Sequence, residues 1–258
     1  MIVATGGLSY PSTGCTGDGY RFAREVGHTL VPCVPSLVGI EVKGVSEAQG
    51  ISLKNCVLTA RRKSVGVNAP AQGKVIFSEL GELLFTHYGI SGPLVLTLSA
   101  RINRIAMKEV ALTLDFKPAL DEKQLDVRLV RDFSERANEQ MKNVMRGLLP
   151  LGAVGPVLKA ASIPPEKRAN CVTREERARL VQALKAFPMR PLALRGYNEA
   201  VVTSGGVSLD EIDPKTMQSK KVKGLYFCGE VLDVDAYTGG FNLQIAFSTG
   251  YLAGKSGE

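Results

Sequence analysis

Apolar and polar positions along the 258 residues divide the chain into two ends of buried-sheet character and a middle of different texture. Near the C-terminus, Leu225, Tyr226, Phe227 and Cys228 form an unbroken apolar run after a lysine-rich approach, the pattern of a strand buried in a parallel sheet. Ile2 to Ala4 reads the same way, and both runs stop at glycine. After the first strand, Tyr10 to Gly19 is a glycine-rich loop, and Tyr20 to Val26 predicts an amphipathic helix with Asp18 as its N-cap and Gly27 at its end. Pro32 and Pro35 mark a crossover, beyond which Leu37 to Val42, Val57 to Thr59, Val65 to Val67, Val75 to Phe77 and Val110 to Phe116 are short β-rich runs separated by turn residues. Helical spacing then takes over across Glu122 to Met145, Val154 to Ala161 and Arg174 to Phe187, the last capped by Thr173. A β reading resumes at Leu192 and reaches Glu199 to Val207, where Gly205 and Gly206 fit a tight return after a strand. A final helix begins at Phe241.

This order predicts an α/β protein in which residues 1–35 and 192–258 come together as one unit. A small β-barrel or sandwich over 36–118 and a helical region over 119–191 are inserted between them. Hydrophobic residues make up 45% of the chain and charged residues 22%, enough to bury a sizeable core. No long apolar run or basic leader is present, so a cytoplasmic protein without a membrane partner is expected. Five cysteines with no CxxC pair and two histidines argue against a disulfide framework or a zinc site. The formal charge of +7 comes from lysines and arginines that alternate with acids on helical faces. Only 6% of residues are aromatic and no basic stripe carries interleaved stacking residues, so nucleic acid is not an expected partner; the basicity favours anionic small molecules.

The candidate chemistry sits at the C-terminal strand. Gly229 and Glu230 follow it at the carboxyl end, where open α/β sheets place ligand-binding groups. Gly239 and Gly240 then open a helix whose first amides, at Phe241, Asn242 and Leu243, lack partners within it, an arrangement suited to an anion. Ala246, Gly250 and Ala253 give this helix a face that another backbone can approach closely.

Strand, Gly-Glu, loop, Gly-Gly and helix resemble the second half of the flavin site in glutathione-reductase-like flavoproteins. The stretch GEVLDVDAYTGGFNLQ closely resembles the C-terminal signature of the BaiN/YhiN-like flavoproteins, the aminoacetone-oxidase family of FAD-binding enzymes. The ATGG at Ala4 to Gly7, YPSTGCTGDGY (with Cys15 where serine is usual), FTHYGISGP and EAVVTSGGV extend the resemblance over nearly the whole chain. It implies a partial FAD-binding Rossmann fold of the glutathione-reductase type. FAD would be contacted by Thr5, Gly6, Gly229, Glu230, Gly239, Gly240, Phe241, Asn242 and Leu243, with Glu230 on ribityl or ribose hydroxyls. It further implies an oxidoreductase that moves a hydride between flavin and a small organic substrate of the amino ketone or enone class.

No GxGxxG occurs, since GCTGDG and GAVGPV both fail the spacing. In the family that fingerprint binds the diphosphate, so a truncated chain is expected, binding FAD weakly on its own and exposing apolar surface prone to self-association. The competing reading is a non-catalytic fragment acting as a folding or interaction module. His87, within FTHYGISGP, is the candidate substrate-side acid or base, because imidazole titrates in the useful range. Ser91 stands in GISGP rather than GxSxG, which sets hydrolase chemistry aside.

Overall fold

A computed structural model describes residues 1–63 and 73–257; the β run expected at Val65 to Val67 lies outside them. In chain order the elements are β1 (Ile2–Val3), α1 (Asp18–Glu25), β2 (Leu30–Ser36), β3 (Ile40–Lys43), β4 (Ser52–Arg62), β5 (Lys74–Phe85), β6 (Gly89–Ser91) and α2 (Pro93–Ile102). There follow β7 (Val110–Asp115), α3 (Glu122–Glu135), α4 (Met141–Val144), α5 (Leu151–Ala160), α6 (Arg174–Lys185), β8 (Phe187–Leu194), β9 (Val202–Val207), β10 (Tyr226–Phe227) and α7 (Phe241–Ser256). They fall into two units. One holds Met1–Gly39, Leu96–Arg104 and the chain from Leu194 onward; the other holds Ile40–Val95 and Ile105–Ala193.

In the first unit the two apolar runs meet as expected. β1 lies parallel to β10 with Ile2 opposite Tyr226 and Val3 opposite Phe227. Phe227 is fully buried, in a core shared with Val3, Ala23, Val207, Val231 and Ala253. Asp18 is the first residue of α1 and not its N-cap: Gly17 occupies the cap with φ 77°, and Asp18 instead accepts from Thr16 Oγ1 at 2.8 Å. Pro32 and Pro35 do not end the β structure. They lie within β2, which pairs antiparallel with β9 and shifts register between Val31 and Val34, a bulge that accommodates the missing amide of Pro32. Gly205 and Gly206 likewise lie inside β9 rather than in a turn, with φ of 99° and 142°. A β-carbon at Gly206 would meet the carbonyl of Val231 and, at 2.9 Å, the carbonyl carbon of Leu232, so glycine lets two backbones pass in contact.

His28, which no sequence motif singled out, is buried in the same unit. Its Nδ1–H donates to Glu211 Oε2 at 3.0 Å, and its Nε2 accepts from Ser219 Oγ at 2.7 Å. The Glu211 carboxyl is held down to about 2 from its ordinary 4.5, first by Lys221 Nζ and then by the hydroxyl and amide of Thr29. A carboxyl depressed by folding stabilises the native state above its unfolded value, and that contribution is lost as pH falls through the folded one. Acid unfolding is therefore expected to lose a component between about pH 4.5 and about pH 2 in the native chain. A Glu211→Gln variant, followed by circular dichroism, should lack it.

The second unit is a closed barrel in the order β3-β6-β5-β4-β7-β8, with α3 to α6 in the same unit. Alternation selects its interior: Cys56, Leu58 and Ala60 on β4 and Val110, Leu112 and Leu114 on β7 are buried. Thr173 caps α6 as expected, in a reciprocal box with Glu176, and Asp121 and Gln124 do the same for α3. Helical spacing from Glu122 to Met145 is not one helix. The chain leaves α3 at Arg136, whose guanidinium donates to the carbonyls of Val144 (3.0 Å) and Asn143 (3.2 Å) and so terminates the following turn of α4.

Candidate functional site

The site is built where β10 ends. Gly229, with φ 77°, turns the chain into a short 3₁₀ segment, Gly229–Val231, and its amide donates to Thr249 Oγ1 of α7 at 2.9 Å. That bond fixes Glu230 relative to the helix. Glu230 Oε1 accepts from the amide of Thr203 on β9 at 2.7 Å, while among the described residues Oε2 has no partner. Thr203 Oγ1 in turn accepts from the amide of Leu8 at 2.7 Å. The phenol of Tyr20 donates to the backbone carbonyl of Glu230 at 3.3 Å, and burial pushes that phenol up, so it remains a neutral donor.

Glu230 opens onto a cleft of about 380 Å³. Leu37, Val201, Val202, Val234, Ile245 and Ala246 form its apolar walls, and Tyr237, Thr238, Gly239, Gly240, Asn242 and Leu243 complete it. Gly240, with φ 89°, is the N-cap of α7, and a β-carbon there would meet no protein atom within 4 Å. The first intrahelical bond runs from Gln244 N to Gly240 O, leaving the amides of Phe241, Asn242 and Leu243 at the helix mouth. The Asn242 side chain faces the loop before it, with Oδ1 accepting from Ala236 N and Nδ2 donating to Ala236 O, both at 2.8 Å. Burial pushes the nearby Asp233 carboxyl up, against the pull of Arg104.

Glu230, Gly239, Gly240, Asn242 and Leu243 thus share one cleft, with Gly229 positioning Glu230. Phe241 is exposed, and Thr5 and Gly6 are not among the residues lining the cleft but lie beside it: a β-carbon on Gly19 of α1 would meet both Thr5 Oγ1 and Val231, the residue after Glu230. The close approach in the ATGG stretch belongs to Gly7, where a β-carbon would meet Glu230 Oε1 and Thr203 Oγ1. His87 belongs to the barrel unit, exposed, with its ring edge-on to Tyr88 at 5.0 Å. Of the small residues on α7, Ala253 is buried in the core and Ala246 lines the cleft, while Gly250 faces open space. Thr203 and Tyr237 escaped the sequence reading; a threonine inside the apolar run Ala200 to Thr203 was the signal available for the first. Among the described residues no group of three or more His, Cys, Asp or Glu side chains could hold a metal ion, and no helix is long and apolar enough to cross a membrane.

A parallel strand pair ending in glycine-glutamate, a glycine-capped helix and an inserted barrel define a Rossmann-type α/β protein. The chain belongs to the HI0933-like family: residues 1–256 match the HI0933-like protein Rossmann domain, the relationship that the GEVLDVDAYTGGFNLQ stretch implied. It is 32% identical to the 3-dehydro-bile acid delta(4,6)-reductase of Clostridium scindens over 99% of this chain and 61% of that protein. It is 31% identical to the ribosomal RNA dihydrouridine synthase of Escherichia coli and 33% to that of Haemophilus influenzae, again over 99% of this chain and 60% and 59% of theirs. The chain spans about three fifths of the length of these relatives.

Proposed function

We propose that this chain contributes the Glu230–α7 side of an FAD site in an oxidoreductase that reduces a ring carbon–carbon double bond conjugated to a carbonyl. The observation that carries the reading is the juxtaposition of an acid with one free oxygen and an open, glycine-capped helix mouth in a single apolar cleft. The residues fit the cofactor. Glu230 Oε2 can accept from ligand hydroxyls, the amides at 241–243 can donate to anionic or carbonyl oxygens, and glycine at 240 leaves the space a planar ligand needs. FAD bound there would supply the hydride equivalent. The chain's own part is to orient the ligand through Glu230, exclude water with Leu37, Val202 and Ile245, and stabilise negative charge at the start of α7 by about 0.3–2 kcal/mol.

The names of the relatives support a choice of substrate class. A bile acid delta(4,6)-reductase and a dihydrouridine synthase both saturate a ring double bond, so the enone reading is preferred over the amino ketone one. A uridine within RNA is the second reading, favoured by the names of two of these relatives. The test is an FAD titration followed by flavin fluorescence, first on this chain and then on a hybrid carrying the remaining segment of the Clostridium scindens relative. Anaerobic reduction and addition of a 3-oxo-4-ene steroid acid or a uridine-containing RNA follow. Oxygen-independent reoxidation by one of them supports the reading and identifies the class; a hybrid that retains no flavin, or reduced flavin that neither substrate reoxidises, defeats it.

Phe247 and Tyr251, both 69% exposed, continue from Leu243 at the cleft as an apolar stripe repeating every fourth residue along α7. Self-association through this apolar stripe is the expected result in light scattering, and Phe247→Ser should lower the apparent mass. A monodisperse native monomer would remove this expectation.

A further inference from the structure

Tyr237, on the loop that walls the cleft, carries a cation on its ring. The guanidinium carbon of Arg101, in the last turn of α2, lies 5.2 Å from the ring centroid. Asn242 holds the loop in place by its two bonds to Ala236, which fixes the ring without using the guanidinium. Arg101 is exposed and among the described residues has no ion pair, whereas its neighbour Arg104 donates to the carbonyl of Pro32 at 3.0 Å and sits beside Asp233. Among the described residues Glu230 is the one charged side chain that lines the cleft, so that lining offers no side-chain counter-charge to an anionic ligand. The Arg101 guanidinium, outside the cleft lining but against its Tyr237 wall, uses none of its five N–H donors in a hydrogen bond among the described residues. Its fork matches a carboxylate or phosphate in two parallel hydrogen bonds.

We propose that Arg101, seated on Tyr237, is the oxyanion-recognition residue of this cleft, taking a carboxylate or phosphate carried by the ligand that Glu230 and α7 bind. This rests on the reading of the cleft as a ligand site but not on flavin being the ligand. The oxyanion can belong to a cofactor diphosphate or to the substrate, and the two sources are separable.

Calorimetric titrations of the native chain compare three probes: uridine monophosphate against uridine, a 3-oxo bile acid against its methyl ester, and inorganic pyrophosphate alone. The expected result is a preference of about tenfold or more for the acid form in at least one pair, or saturable pyrophosphate binding, matching one charge-assisted contact. In Arg101→Met that preference should collapse to about unity, and Tyr237→Leu should weaken it. Arg101→Lys should keep only part of it, because an ammonium retains the charge and the favourable position at the helix end but loses the fork. Loss confined to pyrophosphate assigns the oxyanion to the cofactor, and loss confined to the acid–neutral pairs assigns it to the substrate. A native chain that binds none of the anions, or a preference unchanged in Arg101→Met, overturns the proposal. No flavin is present in these titrations, so they fail or succeed separately from the FAD titration above.

Discussion

Gly206→Val is expected to destabilise the α/β unit by about 3–5 kcal/mol, enough to remove most of the stability of a domain of ordinary marginality. Two effects add. At φ 142° only glycine is comfortable, and the new side chain would press on the backbone of Val231 and Leu232 rather than on a side chain that could swing aside. Val207 next to it forms a parallel bridge with Leu232, so the intruding atoms would also separate β9 from the segment that carries Glu230. Urea unfolding of the variant checks the value. Gly196→Ala is the matched control, because that glycine has ordinary φ and open space around it, and should shift stability by no more than about 0.5 kcal/mol. A Gly206→Val chain as stable as the native one would show that the two backbones are free to separate.

Gly240→Val is expected to act on the ligand more than on the fold. A β-carbon there touches no protein atom, so the folding cost is limited to the left-handed backbone at φ 89°, about 1–2 kcal/mol. The added methyls occupy the mouth of the cleft instead, and FAD affinity should fall by at least about tenfold in the form of the protein that retains FAD. Gly240→Asn separates the two effects, because asparagine tolerates this backbone yet still fills the space. Stability should recover in that variant while affinity stays low. Undiminished FAD binding by Gly240→Val would move the ligand away from the start of α7.

The parts of the site that lie close together in sequence were legible, and the parts assembled across the chain were not. Leu225 to Glu230 and Gly239 to Leu243 announce strand, turn and helix because a doubly buried strand has no polar positions and a helix start has glycine where a side chain would intrude. The hydrogen bond from Thr203 to Glu230 joins different elements, and nothing local to either residue encodes it. Gly7, rather than Gly6, presses on Glu230 because contact depends on which way each residue of a bend faces. Prolines misled at β2, where a bulge absorbs what would break a regular strand, and paired glycines misled at β9, where they serve two crossing backbones instead of a turn. In α3 and α4 the apolar spacing runs on past Arg136, whose reach to two carbonyls is a tertiary event that periodicity does not record.

The pairing of β1 with β10 sets an order of events during synthesis. Among the described residues Ile2 and Val3 pair with Tyr226 and Phe227, and Leu8 with the threonine at 203, whereas the barrel strands lie between Ile40 and Leu194. As the chain emerges, the barrel strands are all available before the first strand can be matched. The entropy of closing so long a loop is charged to the α/β unit alone, although it grows only logarithmically with length. Chains halted between Leu194 and Leu225 would therefore carry every barrel strand named above with β1 still unmatched, and the Glu230 cleft would form only after synthesis has passed the barrel.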